Sequence, residues 1–407
     1  MKKNIFVAAT IVLIEWIEFS FYAYLVAKLS PLFFAGVSAH LAILMGFGSF
    51  AVSYFARPIG GIIFGYIGDY SGRKPALFYS MTLMGIVTFA IGLLPTYTMI
   101  GILAPILLII FRFLQGLAVA GNLTGAAIFI AEHHNNKSYL VSSWVSTFSA
   151  LGMLIGAATS IIVSLTIMPA WAWRVPFIFI GIIGVIFAGY VRHSLTEPKI
   201  YQAEKYKGLI ATLILTLIKN YKMPMLKTAA LAAFVGVYIY TCNVWWVSYA
   251  IENNYFTNVQ ARSLATLGQA SVVILTPLMA MLGDVVGGYL LMTIGFIGAA
   301  ITAFLLFALT GFYNIYVIGA VHILYALFNT SVTAVMFKYL VDIFPTKVRY
   351  SGQAISWNIA VAIFGGTAPF IAQLLSESYK APFIPSLYVI AIALVALLVN
   401  GLPQKSK

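Results

Sequence analysis

Apolar runs about twenty residues long, each closed by a short polar segment, repeat along the chain from Ile5 to Leu402. A helix of that length crosses the ~30 Å hydrocarbon core of a bilayer. The pattern therefore predicts an all-α membrane protein with twelve transmembrane helices, over 5–28, 41–68, 76–95, 102–131, 140–167, 173–191, 228–251, 261–283, 288–310, 313–340, 351–376 and 382–402. The longest polar break, 192–227, divides the spans six and six, which gives an N-terminal bundle 1–191, a linker 192–227 and a C-terminal bundle 228–407. Within the linker, 209–218 is apolar but too short to cross, and its flanking Lys207 and Lys219 fit a helix lying in the membrane interface.

Composition agrees with this pattern: 62% of residues are hydrophobic and only 8% charged, where a soluble domain carries about a quarter charged. Met1-Lys2-Lys3 and the apolar run after it imitate a signal peptide, but Glu15 and Glu18 interrupt the run and no small-residue cleavage site follows. The expectation is a retained first helix. The single cysteine, Cys242, excludes an intrachain disulfide.

The net charge of +13 is spread over the breaks between spans and not massed on one face, which argues for topology over nucleic-acid binding. Twelve crossings put both termini on one side. That side collects Lys2, Lys3, Arg73, Lys74, Lys137, the cations of 192–227, Lys338, Lys347, Arg349, Lys405 and Lys407, against Lys28, Arg174, Arg262 and Lys380 on the other. The positive-inside rule then places both termini in the cytoplasm of a bacterial-type inner membrane.

Two loops repeat one pattern. The 2–3 loop reads Gly65-Tyr-Ile-Gly-Asp69-Tyr-Ser-Gly72-Arg73-Lys74, and the 8–9 loop reads Gly283-Asp284-Val-Val-Gly287-Gly288 without the basic pair. The first resembles the signature of the major facilitator superfamily. The resemblance implies a conformational latch of Gly65, Asp69, Gly72, Arg73 and Lys74, in which Asp69 faces a helix N-terminus and Arg73 compensates its charge. The alternative is an ordinary basic turn. Tyr70 stands where that family usually carries a cation.

A narrower resemblance is to the metabolite:proton symporters that carry proline/betaine, α-ketoglutarate, citrate and shikimate. It rests on Glu15-Trp16-Ile17-Glu18-Phe19, Arg57-Pro58-Ile59-Gly60-Gly61, and Arg112 with Gln115, Gly116, Gly121-Asn122 and Ala131-Glu132-His133. Trp173-Arg174-Val175-Pro176-Phe177, the run from Phe344-Pro345 to Ser351-Gly352, Asn358 and Phe364-Gly365-Gly366-Thr367 complete it. Asn122 departs from the group, whose members usually have glutamate there.

Ten acidic residues exist, and only Glu15 and Glu18 fall inside spans. An intramembrane charge costs ~2.5–3.5 kcal/mol even on the lenient insertion scale, so function is its default reading. Glu18 and Glu15 are the candidates for proton coupling. Arg112, Gln115 and Asn122 form one polar stripe on helix 4, and a Glu18–Arg112 pair serves either as a titrating switch or as a permanent tie between helices 1 and 4.

Further substrate-binding candidates are Tyr22, Arg57, Tyr238, Thr241, Trp245, His322, Tyr325, Asn329, Trp357 and Asn358. The aromatic members suit either packing or cation–π enclosure of a quaternary ammonium. No phosphate-binding glycine loop or Cys/His metal cluster is present in the sequence, so no enzyme, cofactor or metal is implied. The expected function is proton-coupled uptake of a small carboxylate-bearing solute, an organic acid or a zwitterion such as proline or betaine, by a monomer. The alternatives are an exporter of drugs or siderophores, or an uncoupled facilitator.

Overall fold

A computed structural model describes residues 2–133, 138–165, 167–203, 206–312, 314–379 and 381–401 of the 407-residue chain. Of the charges used for orientation, Lys137, Lys205, Lys380, Lys405 and Lys407 lie outside the described residues, as do Thr166, Tyr313 and Leu402 at span ends. The described residues contain no strand. Among the described residues twelve long helices follow one another: α1 Lys2–Phe33, α2 Ala39–Tyr70, α3 Arg73–Leu93, α4 Leu103–His133, α5 Tyr139–Ser164, α6 Arg174–Ser194, α7 Lys222–Glu252, α8 Asn258–Val286, α9 Gly288–Thr310, α10 Ile315–Asp342, α11 Thr346–Ser378 and α12 Ile384–Asn400. Short helices Lys199–Ala203 and Ile210–Asn220 lie between α6 and α7.

Eleven of the twelve are long and apolar enough to cross a membrane. The last, α12, has 17 residues, a rise of about 26 Å at 1.5 Å per residue. Several helices outrun the apolar windows that announced them. α7 starts at Lys222 and not at 228, and Lys227 within it is buried, because a lysine stem packs as hydrocarbon while its charge counts as loop in a hydropathy reading. α11 starts at Thr346 with one 3₁₀ turn, Thr346–Val348, directly after Pro345.

Two helices carry wide turns. α7 passes through a π segment at Tyr240–Trp245 and α11 through another at Val361–Gly365. After the second, α11 breaks and restarts as Ala368–Ser378, with Pro369 in its first turn, where a missing N–H leaves no helical bond unmade. Gly236 and Gly365 meet nearly backbone to backbone, since a Cβ on Gly236 would lie 2.9 Å from the Cα of Gly365. Such small-residue contacts let membrane helices approach closely.

The chain packs as two compact units: Met1–Asn135 with Leu151–Leu215 and Pro345–Asn358, and Asn136–Ala150 with Thr216–Phe344 and Ile359–Lys407. The first has an aromatic core in which Trp173 meets Phe33 edge-on at 5.5 Å and Phe177 at 6.2 Å. Next to that tryptophan, Arg174 ties α6 to the end of α3 by donating to the carbonyls of Gly92 (3.0 Å) and Leu94 (2.6 Å). The second unit is centred on α7 and α10, with Tyr238 packed on Tyr325 at 4.8 Å and Trp246 on His322 at 4.5 Å.

Candidate functional site

The turn between α2 and α3 places Asp69 at the last turn of α2, buried, with both carboxylate oxygens aimed at the start of the α-helical part of α11. Oδ1 accepts from the Tyr350 N–H (3.1 Å) and Oδ2 from the Ser351 N–H (2.8 Å). These are donors that a helix N-terminus cannot satisfy internally, and a negative charge there also meets the positive end of the helix dipole.

Arg73, four residues on, donates to Asp69 Oδ1 (2.7 Å) and to the Gly68 carbonyl (2.6 Å). Its other edge grips Glu132 of α4 through Nε (3.0 Å) and Nη2 (2.9 Å), and Nη2 also reaches the Thr346 carbonyl at 2.9 Å. Glu132 takes a second arginine, Arg349, at 2.6 Å. A fully hydrogen-bonded buried cluster of alternating charge results.

Gly72 turns the chain with φ 138°, a conformation that side chains rarely adopt, and Gly65 lets α11 approach, since its Cβ would sit 2.8 Å from the Ser351 Cα. Lys74 contributes its backbone: its N–H and that of Arg73 donate to Glu197 at 2.9 and 3.1 Å. Among the described residues its ammonium makes no ion pair. Burial lifts the Glu197 carboxyl above the usual carboxylate range, opposed by those two N–H groups and the Arg73 charge. Tyr201 covers the Arg73 guanidinium at 4.7 Å and donates its hydroxyl to the Tyr70 carbonyl. The Tyr350 phenol runs between α2 and α4 to donate to the Gly121 carbonyl at 2.6 Å.

The equivalent turn between α8 and α9 uses Asp284 in the same way. Its carboxylate accepts from Ser138 Oγ (2.7 Å) and from the N–H groups of Tyr139 (2.5 Å) and Leu140 (3.3 Å) at the start of α5. Gly288 occupies the position of Arg73, and the Tyr139 ring fills the space a side chain there would need, 2.5 Å from its ideal Cβ.

A second polar cluster lies on α1, α2, α3 and α4. Glu18 Oε1 accepts from Arg112 Nη1 (3.1 Å) and Gln115 Nε2 (2.7 Å), and Gln115 also accepts from Arg112 (2.7 Å) and donates to Thr88 (2.8 Å). The Arg112 guanidinium lies 3.9 Å from the Tyr22 ring centre, and the Tyr22 hydroxyl bonds Ser49 at 2.5 Å. Glu15, Arg57 and Asn122 gather one turn along α1 from that pair. Arg57 is held against the rings of Tyr54 (4.3 Å) and Phe19 (4.9 Å), and Asn122 accepts from Ser80 at 2.6 Å. Glu15 has Arg57, Asn122 and Glu18 as its polar neighbours, and of these the Asn122 amide is the donor to its carboxylate, in a loose contact outside normal hydrogen-bond geometry.

In the second unit, Tyr238 bonds Thr302 at 2.7 Å, and the Trp245 indole donates to Gln373 at 2.8 Å. His322 Nδ1 faces the Ile318 carbonyl at 2.9 Å, which puts a proton on Nδ1 and leaves Nε2 as an unmatched acceptor. Thr241 Oγ1 and Asn329 Oδ1 are also buried without partners. Trp357 and Asn358 fall in the first unit, where Asn358 donates to Ala354 and Ala120 carbonyls.

The polar partners Ser80, Thr88, Thr302 and Gln373, and the Glu197–Tyr201 clamp, carry no sequence signal of their own. They are ordinary residues brought to the charged ones by packing.

The arrangement neutralises charges inside a helical bundle and seizes a helix end with a charged turn. The family model described as sugar (and other) transporter matches residues 5–220. The chain is 31% identical to the proline/betaine transporter of Escherichia coli K12, over 100% of this chain and 83% of the relative. It is 32% identical to a putative proline/betaine transporter of Staphylococcus haemolyticus, over 98% and 86%.

The glycine betaine/proline/ectoine/pipecolic acid transporter OusA of Dickeya dadantii matches at 31%, over 100% and 83%. Among solved structures, the proton:xylose symporter XylE superposes with TM-score 0.78 at 17% identity, over 98% of this chain and 95% of that one. The human organic anion transporter MFSD10 does so with 0.75 at 14%, over 98% and 99%.

The fold and the sequence matches define a multi-pass secondary transporter of the inner membrane, which moves small molecules and is not an enzyme. The chain belongs to the sugar (and other) transporter family of the major facilitator superfamily, and its resemblance to the metabolite:proton symporters extends over its full length.

Proposed function

We propose that this carrier takes up small zwitterions that bear a carboxylate, of the proline and betaine kind, together with protons. The observation that carries the substrate class is the full-length similarity to transporters named for proline and betaine. The buried acidic cluster of α1 supports the proton: a carboxylate that lies near an arginine inside the bilayer changes charge state with a bound substrate anion more readily than one in water.

The transport unit is a monomer with both termini cytoplasmic. Its six-helix halves, 1–191 and 228–407, joined by 192–227, alternate access to one site. Asp69, Arg73 and Glu132 latch one state of that cycle and release it when the helix α11 terminus withdraws.

The test is uptake into proteoliposomes of labelled proline, betaine and a panel of organic acids, with and without an inward proton gradient. Saturable accumulation of proline or betaine that requires the gradient is the expected result. Saturable uptake that ignores the gradient makes the protein a facilitator, and accumulation only in inverted vesicles makes it an exporter.

A further inference from the structure

Two acid–base pairs lie one helical turn apart on α1, and they are bonded in different ways. Around Glu18, Oε1 takes two hydrogen bonds, from Arg112 and from Gln115, and Arg112 is further fixed by Gln115 and by the Tyr22 ring, with Glu18 Oε2 and Arg112 Nε the atoms left without a partner. The Glu15 carboxylate has only a loose hydrogen-bonding contact from the Asn122 amide, Nε and Nη2 of Arg57 have no partner, and all three residues are at least 97% buried.

Folded proteins seldom leave buried polar groups unmatched, and a cluster of them that includes both donors and acceptors reads as a place kept for a ligand. The identity of the free atoms narrows its chemistry. Nε and Nη2 form one edge of the guanidinium, with two parallel N–H bonds spaced to meet the two oxygens of a carboxylate. Tyr54 and Phe19 hold that edge in plane. The Asn122 amide supplies a further donor where the resembling symporters carry a glutamate, so at this position of α4 no carboxylate competes for the incoming anion.

We propose that the Arg57 edge and the Asn122 amide receive the carboxylate of the transported solute, that Glu15 carries the coupled proton, and that Glu18–Arg112 is a standing tie between α1 and α4. The proposal rests on the proton-coupled reading above and assigns its parts. With the site empty, ionised Glu15 is the counter-charge of Arg57. On loading, one proton from the outer solution adds to a Glu15 oxygen while the solute carboxylate replaces it opposite Arg57. On release the carboxylate departs, the proton leaves to the inner solution, and Glu15 again faces Arg57. One proton crosses with each zwitterion, so each loaded passage moves one positive charge. The charged or titratable groups facing Glu15 are Glu18 on α1, Arg57 on α2 and Tyr350 on α11, with the neutral Asn122 on α4.

The experiment compares wild type with Glu15→Gln, Arg57→Gln, Arg57→Lys, Asn122→Ala and Glu18→Gln in proteoliposomes. It measures gradient-driven accumulation of labelled proline and, without any gradient, exchange of external for internal proline. Glu15→Gln is expected to lose accumulation and keep exchange. Arg57→Gln is expected to raise the exchange KM for proline and betaine on the order of 100-fold, as truncating one side of a buried charge pair does, with Arg57→Lys recovering part of it. Asn122→Ala, a smaller lesion that keeps every charge, should raise KM about tenfold, which preserves the test if Arg57→Gln does not fold. Glu18→Gln is expected to lower maximal rate and thermal stability while the gradient still multiplies uptake.

Loss of gradient dependence in Glu18→Gln but not in Glu15→Gln overturns the assignment of the proton. An unchanged KM in Arg57→Gln and Asn122→Ala overturns the assignment of the carboxylate. A wild type with no saturable uptake defeats the transport reading itself, an outcome distinct from either.

Discussion

The α2–α3 turn and the α8–α9 turn are two copies of one device with different strengths. In each, an aspartate at the end of one helix accepts from two successive backbone N–H groups at the start of another: Tyr350 and Ser351 for Asp69, Tyr139 and Leu140 for Asp284. In each, the first of those N–H groups belongs to a tyrosine. The residue four positions after the aspartate separates them. Arg73 binds Asp69, Glu132 and two carbonyls into a buried cluster, whereas Gly288 leaves exposed Asp284 with hydrogen bonds alone and cedes its space to Tyr139. The aspartate fixes where the contact forms. The cation fixes how much it is worth and how far it is shielded from water and salt.

The comparison breaks most easily at its strong side. Arg73→Gln strands Asp69 and half of the charge on Glu132 in a buried place, and removal of one partner from such a network costs about 3–5 kcal/mol. The apparent unfolding temperature of the detergent-purified protein should fall further for this variant than for any single change in the α8–α9 turn. An equal fall for Asp284→Ala would show the two turns to be equivalent.

The next effect comes from an attempt to rebuild the missing cation. Gly288→Arg must displace the Tyr139 ring, an overpacking worth about 1–3 kcal/mol, and the double variant with Tyr139→Ala should recover most of that loss in the same thermal assay. If the single variant is as stable as wild type, Tyr139 is not what excludes a side chain at 288.

Asp284→Ala removes an exposed, charged helix cap and should cost about 1 kcal/mol, with a loss that shrinks from low to high salt. Smallest is the pH response of Glu197. Its folded-state carboxyl titrates above the ordinary 4.5, so its stabilising contribution is fully present below that value and is lost as pH rises through the lifted one. Lowering the pH from neutral toward 4.5 should therefore stabilise wild type slightly more than Glu197→Gln, and an opposite difference would reverse the sign assigned to its burial.

Much of this architecture can be read from the sequence, because membrane helices announce themselves in apolar runs and because charge inside those runs must be neutralised. That second rule pairs Glu18 with Arg112 across 94 positions of sequence, and the resemblance of Gly65–Lys74 to the major facilitator signature likewise implies that Asp69 faces a helix end. The rest depends on tertiary placement. Glu197 and Tyr201 sit in a linker whose local sequence says only that it is polar, and their meeting with Arg73 follows from where α6 ends. The spacing of Tyr238, Thr241 and Trp245 assumes a regular helix, but the π segment at Tyr240–Trp245 inserts a wide turn, and no propensity rule marks that insertion. The helix starts at Lys222 and Thr346 lie ahead of the apolar runs for a related reason: hydropathy measures transfer into lipid, while a helix continues wherever its backbone bonds can.

Tyr350 closes the space of two glycines on different helices. A Cβ on Gly68 would lie 2.2 Å from its ring, and one on Gly125 would lie 2.0 Å from its hydroxyl. The consequence is historical as much as mechanical. Any lineage that drifts to alanine at 68 or 125 must first have exchanged the tyrosine for something smaller, and once either alanine is in place the tyrosine has no way back. One aromatic ring thus sets the order in which three positions, far apart in the chain, are free to mutate.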